Sequence, residues 1–199
     1  MSAAGLPVTA AVPADWRLPD RGVVGMWCLI IAESAIFTIF VVAYVYYLGK
    51  NLSGPEPRDI LELPIFISLC LWASSGTSEM AVRALRRGEE RTFTLLWLAT
   101  IVLALVFMGG TALEWRHLIY EKGLTVRTNL FGTAYYSLVG LHAFHVIVGI
   151  VCLIVVLMLA LKGKVHREHA HRTHVLGLYW HFVDVVWVIV FVVVYVIGR

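Results

Sequence analysis

The stretch LFGTAYYSLVGLHAFHVIVGIVCLIVVLMLAL, residues 130–161, runs for 32 residues without an Asp, Glu, Lys or Arg. About 20 helical residues cross the hydrocarbon core of a bilayer. This segment exceeds that length, so it must tilt or continue as a helix beyond the headgroups. Four further segments are long and apolar enough to do the same, at 23–48, 63–81, 93–113 and 175–197. The expected architecture is therefore all-α, a polytopic membrane protein with five transmembrane helices.

Composition agrees. The 199 residues are 60% hydrophobic and 15% charged, with a mean hydropathy of +0.82, well outside the range of soluble domains. A net charge of +3, scattered among apolar runs, gives no nucleic-acid surface. Cys28, Cys70 and Cys152 fall in different apolar runs with no CxxC pair, and are expected to pack as small hydrophobes. The first 22 residues contain Pro7, Pro13, Asp15, Pro19 and Asp20 and lack a basic segment followed by an apolar one. No cleaved signal peptide is expected. Residues 1–22 are an N-terminal arm, and 23–199 a single membrane domain.

Basic residues set the expected orientation. Arg17 and Arg21, then Arg83, Arg86, Arg87 and Arg91, then Lys162, Lys164, Arg167 and Arg172 fall on one side, ten against six on the other. The N-terminus is placed in the cytoplasm and the C-terminus outside.

Ionisable groups within spans are costly and normally face the bundle interior. Glu33, His142, His145 and Asp184 lie well inside, with His181 close by. Helical spacing groups them into stripes: Met26, Glu33, Phe37, Phe40, Tyr44 and Tyr47 on the first span; Phe131, Tyr135, Leu138, His142, His145 and Gly149 on the fourth; His174, Gly177, His181, Asp184, Val188 and Tyr195 on the fifth. Gly149 would let another backbone close in. Each group has two readings. Glu33 is a proton carrier or a glutamate fastening two helices, and His181 with Asp184 is a structural pair or a catalytic one. His142-x-x-His145 could hold a metal or haem, against hydrogen-bonded core histidines. His166, His169, His171 and His174 stand among basic residues that suit anionic headgroups better than a cation. Glu114-Trp115-Arg116-His117 reads as an interfacial polar cap. Tyr179, Trp180 and Trp187 have the amphipathic character of interface aromatics. The small residues 73–78 and Gly109-Gly110 permit close helix approach.

The order of these features resembles a known family. Tyr179 to Trp187, reading YWHFVDVVW, is similar to the last helix of cytochrome c oxidase subunit III. Residues 140–149, GLHAFHVIVG, resemble that family's G-x-H-x-x-H-V-x-x-G helix. Glu33-Ser34-Ala35-Ile36-Phe37 stands in place of its E-x-x-x-F motif, and Glu114-Trp115 in place of its E-Y or E-W pair. Ser75-Gly76 matches a small-residue stretch between them. The resemblance runs from Gly25 to Gly198. It implies the five-helix bacterial form, a V-shaped bundle whose cleft holds phospholipid. It further implies a place beside oxidase subunits I and II, with haem a and copper in the partner subunits and none in this chain, in the bacterial cytoplasmic membrane, and allows membership of a respiratory supercomplex.

The function so implied is that of an accessory subunit of an aa3-type cytochrome c oxidase that supports stability, proton uptake and oxygen access of subunit I, with no catalytic residue of its own. Glu33 with His145 would be a hydrogen-bonded pair between helices, and His181 with Asp184 the anchor of the last helix. Glu114 and His142 complete the structural or proton-uptake set. Trp180, Trp187, Arg83, Arg172 and His174 are the lipid-contact candidates. Two positions depart from the pattern of longer members, Glu79-Met80-Ala81 in place of a Trp-Ala-His stretch and His174 in place of an acidic residue. A subunit III of a quinol oxidase or of a nitric oxide reductase complex, a stand-alone proton-coupled transporter and a di-histidine haem protein are the alternatives.

Overall fold

The computed structural model describes residues 20–50, 61 and 63–198. Much of the N-terminal arm, with Arg17, and Arg58 of the first loop lie outside them. Five helices are long and apolar enough to cross a membrane. They are α1 (Arg21–Tyr47), α2 (Ile65–Arg87), α3 (Glu90–Tyr120), α4 (Leu130–Leu161) and α5 (Ala170–Phe191). A 3₁₀ turn (Arg167–His169) leads into α5 and a π turn (Val192–Ile197) prolongs it.

Local chemistry sets the helix ends. The carboxylate of Asp20 accepts from the Gly22 amide at 2.6 Å, and the Asn129 side chain accepts from the Gly132 amide at 2.8 Å, capping α1 and α4. Gly88 ends α2 with a φ of 82°, a left-handed conformation that glycine adopts without steric cost. The connection between α2 and α3 is thus only Gly88 and Glu89, so Arg83, Arg86 and Arg87 are helical. Likewise 114–117, expected as a cap past the third span, belong to α3. Apolar length marks the hydrocarbon-crossing part of a helix, while the hydrogen-bond ladder continues into the headgroup zone.

The α4–α5 pair forms the middle of the bundle. The α2–α3 hairpin packs against it, α2 on α5 and α3 on α4, and α1 packs on both α4 and α5. The core is aromatic: Trp97, Trp180, Trp187, Tyr135, Tyr195, Phe93 and Phe107 are fully buried. An apolar groove of about 450 Å³ runs between α1 and α5, bordered by Trp27, Phe37, Val41, Phe182 and Ile189.

Candidate functional site

Three polar fastenings join the helices. The first lies between α1 and α4, where His145 Nε2 stands 3.1 Å from the Glu33 carboxylate. His145 Nδ1 faces the Leu141 carbonyl at 2.8 Å. A carbonyl only accepts, so Nδ1 carries a hydrogen and Nε2 is the ring atom turned to the carboxyl. Each group thus gives the other a polar partner across the helix contact. This suits a half-buried site at membrane depth. Phe37, one turn along α1, packs its ring 5.0 Å from the His145 imidazole.

The second is a ladder of hydroxyls on α2 that receives the polar groups of α5. Ser68 Oγ accepts from the Trp187 indole N–H at 3.0 Å, and Ser74 Oγ accepts from the Trp180 indole N–H at 3.0 Å. Ser75 Oγ contacts both Asp184 Oδ2 and, at 3.0 Å, His181 Nδ1. Thr77 continues the pattern to Thr100 of α3 at 2.8 Å. A serine at a helix contact offers a small side chain for close approach and a hydroxyl for bonding in a medium without water. His181 and Asp184 thus meet on Ser75 of another helix, a residue whose expected role was packing alone. Its signal in the sequence was the run Ser74-Ser75-Gly76-Thr77-Ser78, whose small size concealed its hydrogen-bonding value.

The third fastening lies toward the far end of the bundle. Glu114 Oε1 accepts from Tyr195 Oη at 2.8 Å and from Tyr135 Oη at 3.3 Å, and the two phenols are 3.3 Å apart. This joins α3, α4 and the π turn. The phenols sat in the expected stripes, but no spacing rule tied them to Glu114.

His142 is buried and stacks on Trp187, ring centroids 4.9 Å apart at 28°, with Phe107 edge-on at 5.9 Å. Neither of its ring nitrogens has a hydrogen-bond partner among the described residues. It does not face His145 across a shared metal position: among the described residues no three His, Cys, Asp or Glu side chains converge as a metal site.

The lipid-contact candidates divide. Trp180 and Trp187 are 0% and 1% exposed with their indole nitrogens bonded to serines, so an interface role for them is corrected to one in the core. The physical reason is that an indole can satisfy its N–H on a buried hydroxyl as well as on a headgroup. Gly149 is the counterpart: a Cβ there would lie 2.6 Å from the Trp180 ring, so the partner it admits is an indole rather than a backbone. Arg83 and Arg172 are exposed, and His174 partly so. Arg83 Nε also bonds Glu79 at 2.8 Å. Of the α5 stripe, Gly177, Asp184 and Tyr195 are buried, whereas Val188 faces outward.

At the end of the bundle where α5 begins, imidazole–carboxylate contacts hold the chain segments together. His171 Nε2 stands 3.0 Å from Asp20, and His166 Nδ1 stands 2.7 Å from Glu90 at the start of α3. The hydrogen bond to Glu90 and its charge raise the pKa of His166 above the usual imidazole value.

These features define a polytopic helical membrane protein whose buried polar groups largely bond one another across helix contacts. A family model for cytochrome c oxidase subunit III matches residues 20–199. A cytochrome c oxidase subunit 3 of Alkalihalophilus pseudofirmus is 35% identical over 176 residues, covering 87% of this chain and 85% of the relative. A probable quinol oxidase subunit 3 of Staphylococcus saprophyticus is 30% identical over 178 residues, 88% of each. A cytochrome c oxidase subunit 3 of Bacillus sp. strain PS3 is 29% identical over 177 residues, covering 88% of this chain and 85% of the relative. The chain belongs to the cytochrome c oxidase subunit III family, multi-pass membrane subunits of bacterial haem-copper terminal oxidases that carry no redox centre of their own.

Proposed function

We propose that the chain is the accessory subunit III of an aa3-type cytochrome c oxidase, seated beside subunits I and II in the cytoplasmic membrane with its N-terminus in the cytoplasm. The observation that carries this reading is the use of the polar groups within the bundle: Glu33, His145, His181, Asp184 and Glu114 are engaged in bonds between helices, an arrangement suited to holding a scaffold. The haems and copper then belong to the partner subunits. The chain's contribution is to stabilise subunit I and sustain its proton uptake and oxygen supply. The α1–α5 groove, apolar and open at membrane depth, suits the acyl chain of a phospholipid and corresponds to the cleft of the V-shaped form. Arg83, Arg172 and His174 are proposed as headgroup contacts.

Solubilisation in mild detergent, purification through this chain and a visible spectrum of the product test the reading. Haem a with two larger subunits is the expected result. Haem in a complex oxidising quinol and not cytochrome c would replace it with the quinol oxidase reading, which the Staphylococcus relative supports. Nitric oxide reductase subunits would place the chain there instead. Proton-coupled transport by the purified chain alone in liposomes, or a Soret band in it, would sink the scaffold reading. In the complex, Glu33→Gln is expected to leave initial turnover largely intact; loss of electron transfer from the first turnover would contradict an accessory role.

A further inference from the structure

One cluster goes beyond what a fastening needs. Asp184 could be held by Ser75 alone, yet Ser75 Oγ also meets His181 Nδ1 at 3.0 Å, and His181 Nε2 lies 3.9 Å from Glu79 Oε2. Glu79 is in turn bonded to the exposed Arg83. The four groups lie in file from a buried carboxyl to the rim of α2, hydrogen-bonded from Asp184 through Ser75 to His181 and within ion-pair range from His181 to Glu79. At about 1.5 Å per residue, Glu79 stands about 12 Å from the Arg87 end of α2, and Asp184 about 21 Å from the start of α5. The file therefore runs inward along the α2–α5 contact, from Glu79 to Asp184. The side chains of Glu79 and His181 are about one third exposed, 33% and 37%, whereas Asp184 is buried and its Oδ1 has no hydrogen-bond partner among the described residues.

The hydrogen count makes this file directional. Ser75 has one hydroxyl proton and two neighbours, so one neighbour receives that proton while the other donates to Oγ. Two arrangements satisfy this rule. In one, a protonated Asp184 donates to Oγ and the hydroxyl donates to an unprotonated Nδ1. In the other, the hydroxyl donates to a carboxylate and Nδ1–H donates to Oγ. Converting the first to the second moves one proton from Asp184 to Oγ as the hydroxyl proton moves to Nδ1. The imidazole, now carrying hydrogens on both nitrogens, releases the one on Nε2 to the Glu79 carboxylate when side-chain rotation of these two partly exposed groups closes their 3.9 Å separation to hydrogen-bond distance. Every atom keeps its valence, and the net result is one proton carried from Asp184 to Glu79.

We propose that Glu79, His181 and Ser75 form a proton relay that loads and unloads the buried carboxyl of Asp184 from the Arg83 end of the bundle. Ionised carboxylates at membrane depth are costly, and the relay gives this one access to water without opening the α2–α5 contact. The other ionisable groups facing the file are few. His174 lies on the same helix face as His181. Across the groove α1 offers Ser34 and Thr38, both bonded to carbonyls of their own helix. On α4, His145 is engaged with Glu33 and His142 with Trp187.

The test uses the complex purified from native membranes through this chain and follows carboxyl bands by infrared spectroscopy during transfer into D₂O. A protonated-carboxyl band lost in Asp184→Asn identifies the group. Glu79→Gln leaves the Ser75–Asp184 contact in place and is expected to slow deuteration of that band about tenfold or more, as loss of a positioned acid–base group commonly does. Ser75→Ala is expected to slow it comparably and Ser75→Thr to restore it. A purely structural clamp would respond to Ser75→Ala in thermal stability and not to Glu79→Gln in exchange. Equal deuteration rates in Glu79→Gln and the parent chain would overturn the proposal. So would the absence of any Asp184 carboxyl band between about pH 5 and 9.

Discussion

Helix α1 and the span that α5 forms with its flanking turns (Arg167–Ile197) are alike in length and hydropathy, yet half of that span's most apolar window is buried within the chain and only 11% of α1's is. In water such a difference would be visible as amphipathicity, because the outward face would be polar. In a bilayer the outward face is as apolar as the inward one, and hydropathy no longer separates them. What separates α5 from α1 is its payload of indoles, imidazole and carboxyl groups, each matched by a serine of α2. Helix α1 carries Glu33, Phe37 and Tyr44 along one narrow stripe and presents Ile31, Ile39 and Val42 outward.

The comparison is open to direct attack. Removing Trp187, which is buried between Ser68, His142 and Phe107, should have the largest effect: Trp187→Ala is expected to cost about 3–5 kcal/mol, seen as a collapse in thermal stability of the purified chain in detergent. Gly149→Ala, whose methyl would press on the Trp180 ring, should cost about 1–3 kcal/mol by overpacking in the same assay. Ser74→Ala leaves the Trp180 N–H without its acceptor and should cost about 1–3 kcal/mol, with the indole fluorescence shifted. Ile39→Ala on α1 should stay within about 0.5 kcal/mol; a larger loss would show that α1 is as embedded as α5.

The smallest effect concerns pH. Because Glu90 raises the pKa of His166, the attraction between them is fully present below the ordinary imidazole value and is lost as pH rises through the raised one. Hydrogen exchange in the loop between α4 and α5 should therefore quicken across that interval. In Glu90→Gln the step should disappear.

Much of the fold was legible in the chain because crossing a bilayer demands long apolar helices. The bounds of α4 coincide with the apolar run, 130–161. Those of α2 and α3 do not, since their ends are polar and held by backbone bonds that hydropathy does not register. Within the site, the family resemblance pointed to Glu33 with His145, and stripe spacing put the two groups on inward faces. Stripe spacing also put Tyr135 and Tyr195 inward, but their bond to Glu114 needed three helices in register. Trp180 and Trp187 were misplaced at an interface because an indole is equally content at a headgroup or against a buried serine. Ser75 was undervalued for a similar reason, since its hydroxyl matters only once α5 stands opposite.

The sequence by itself determined five long apolar helices, the family and the inward-facing polar groups, because these depend on composition, on motif order and on spacing along one helix. Only the tertiary structure decided which polar groups meet, that α5 is core while α1 is perimeter, and that the serines of α2 receive the polar groups of α5. A hydrogen bond between helices depends on the register of two chain segments more than a hundred residues apart, and in lipid no polar outer face announces that register in advance.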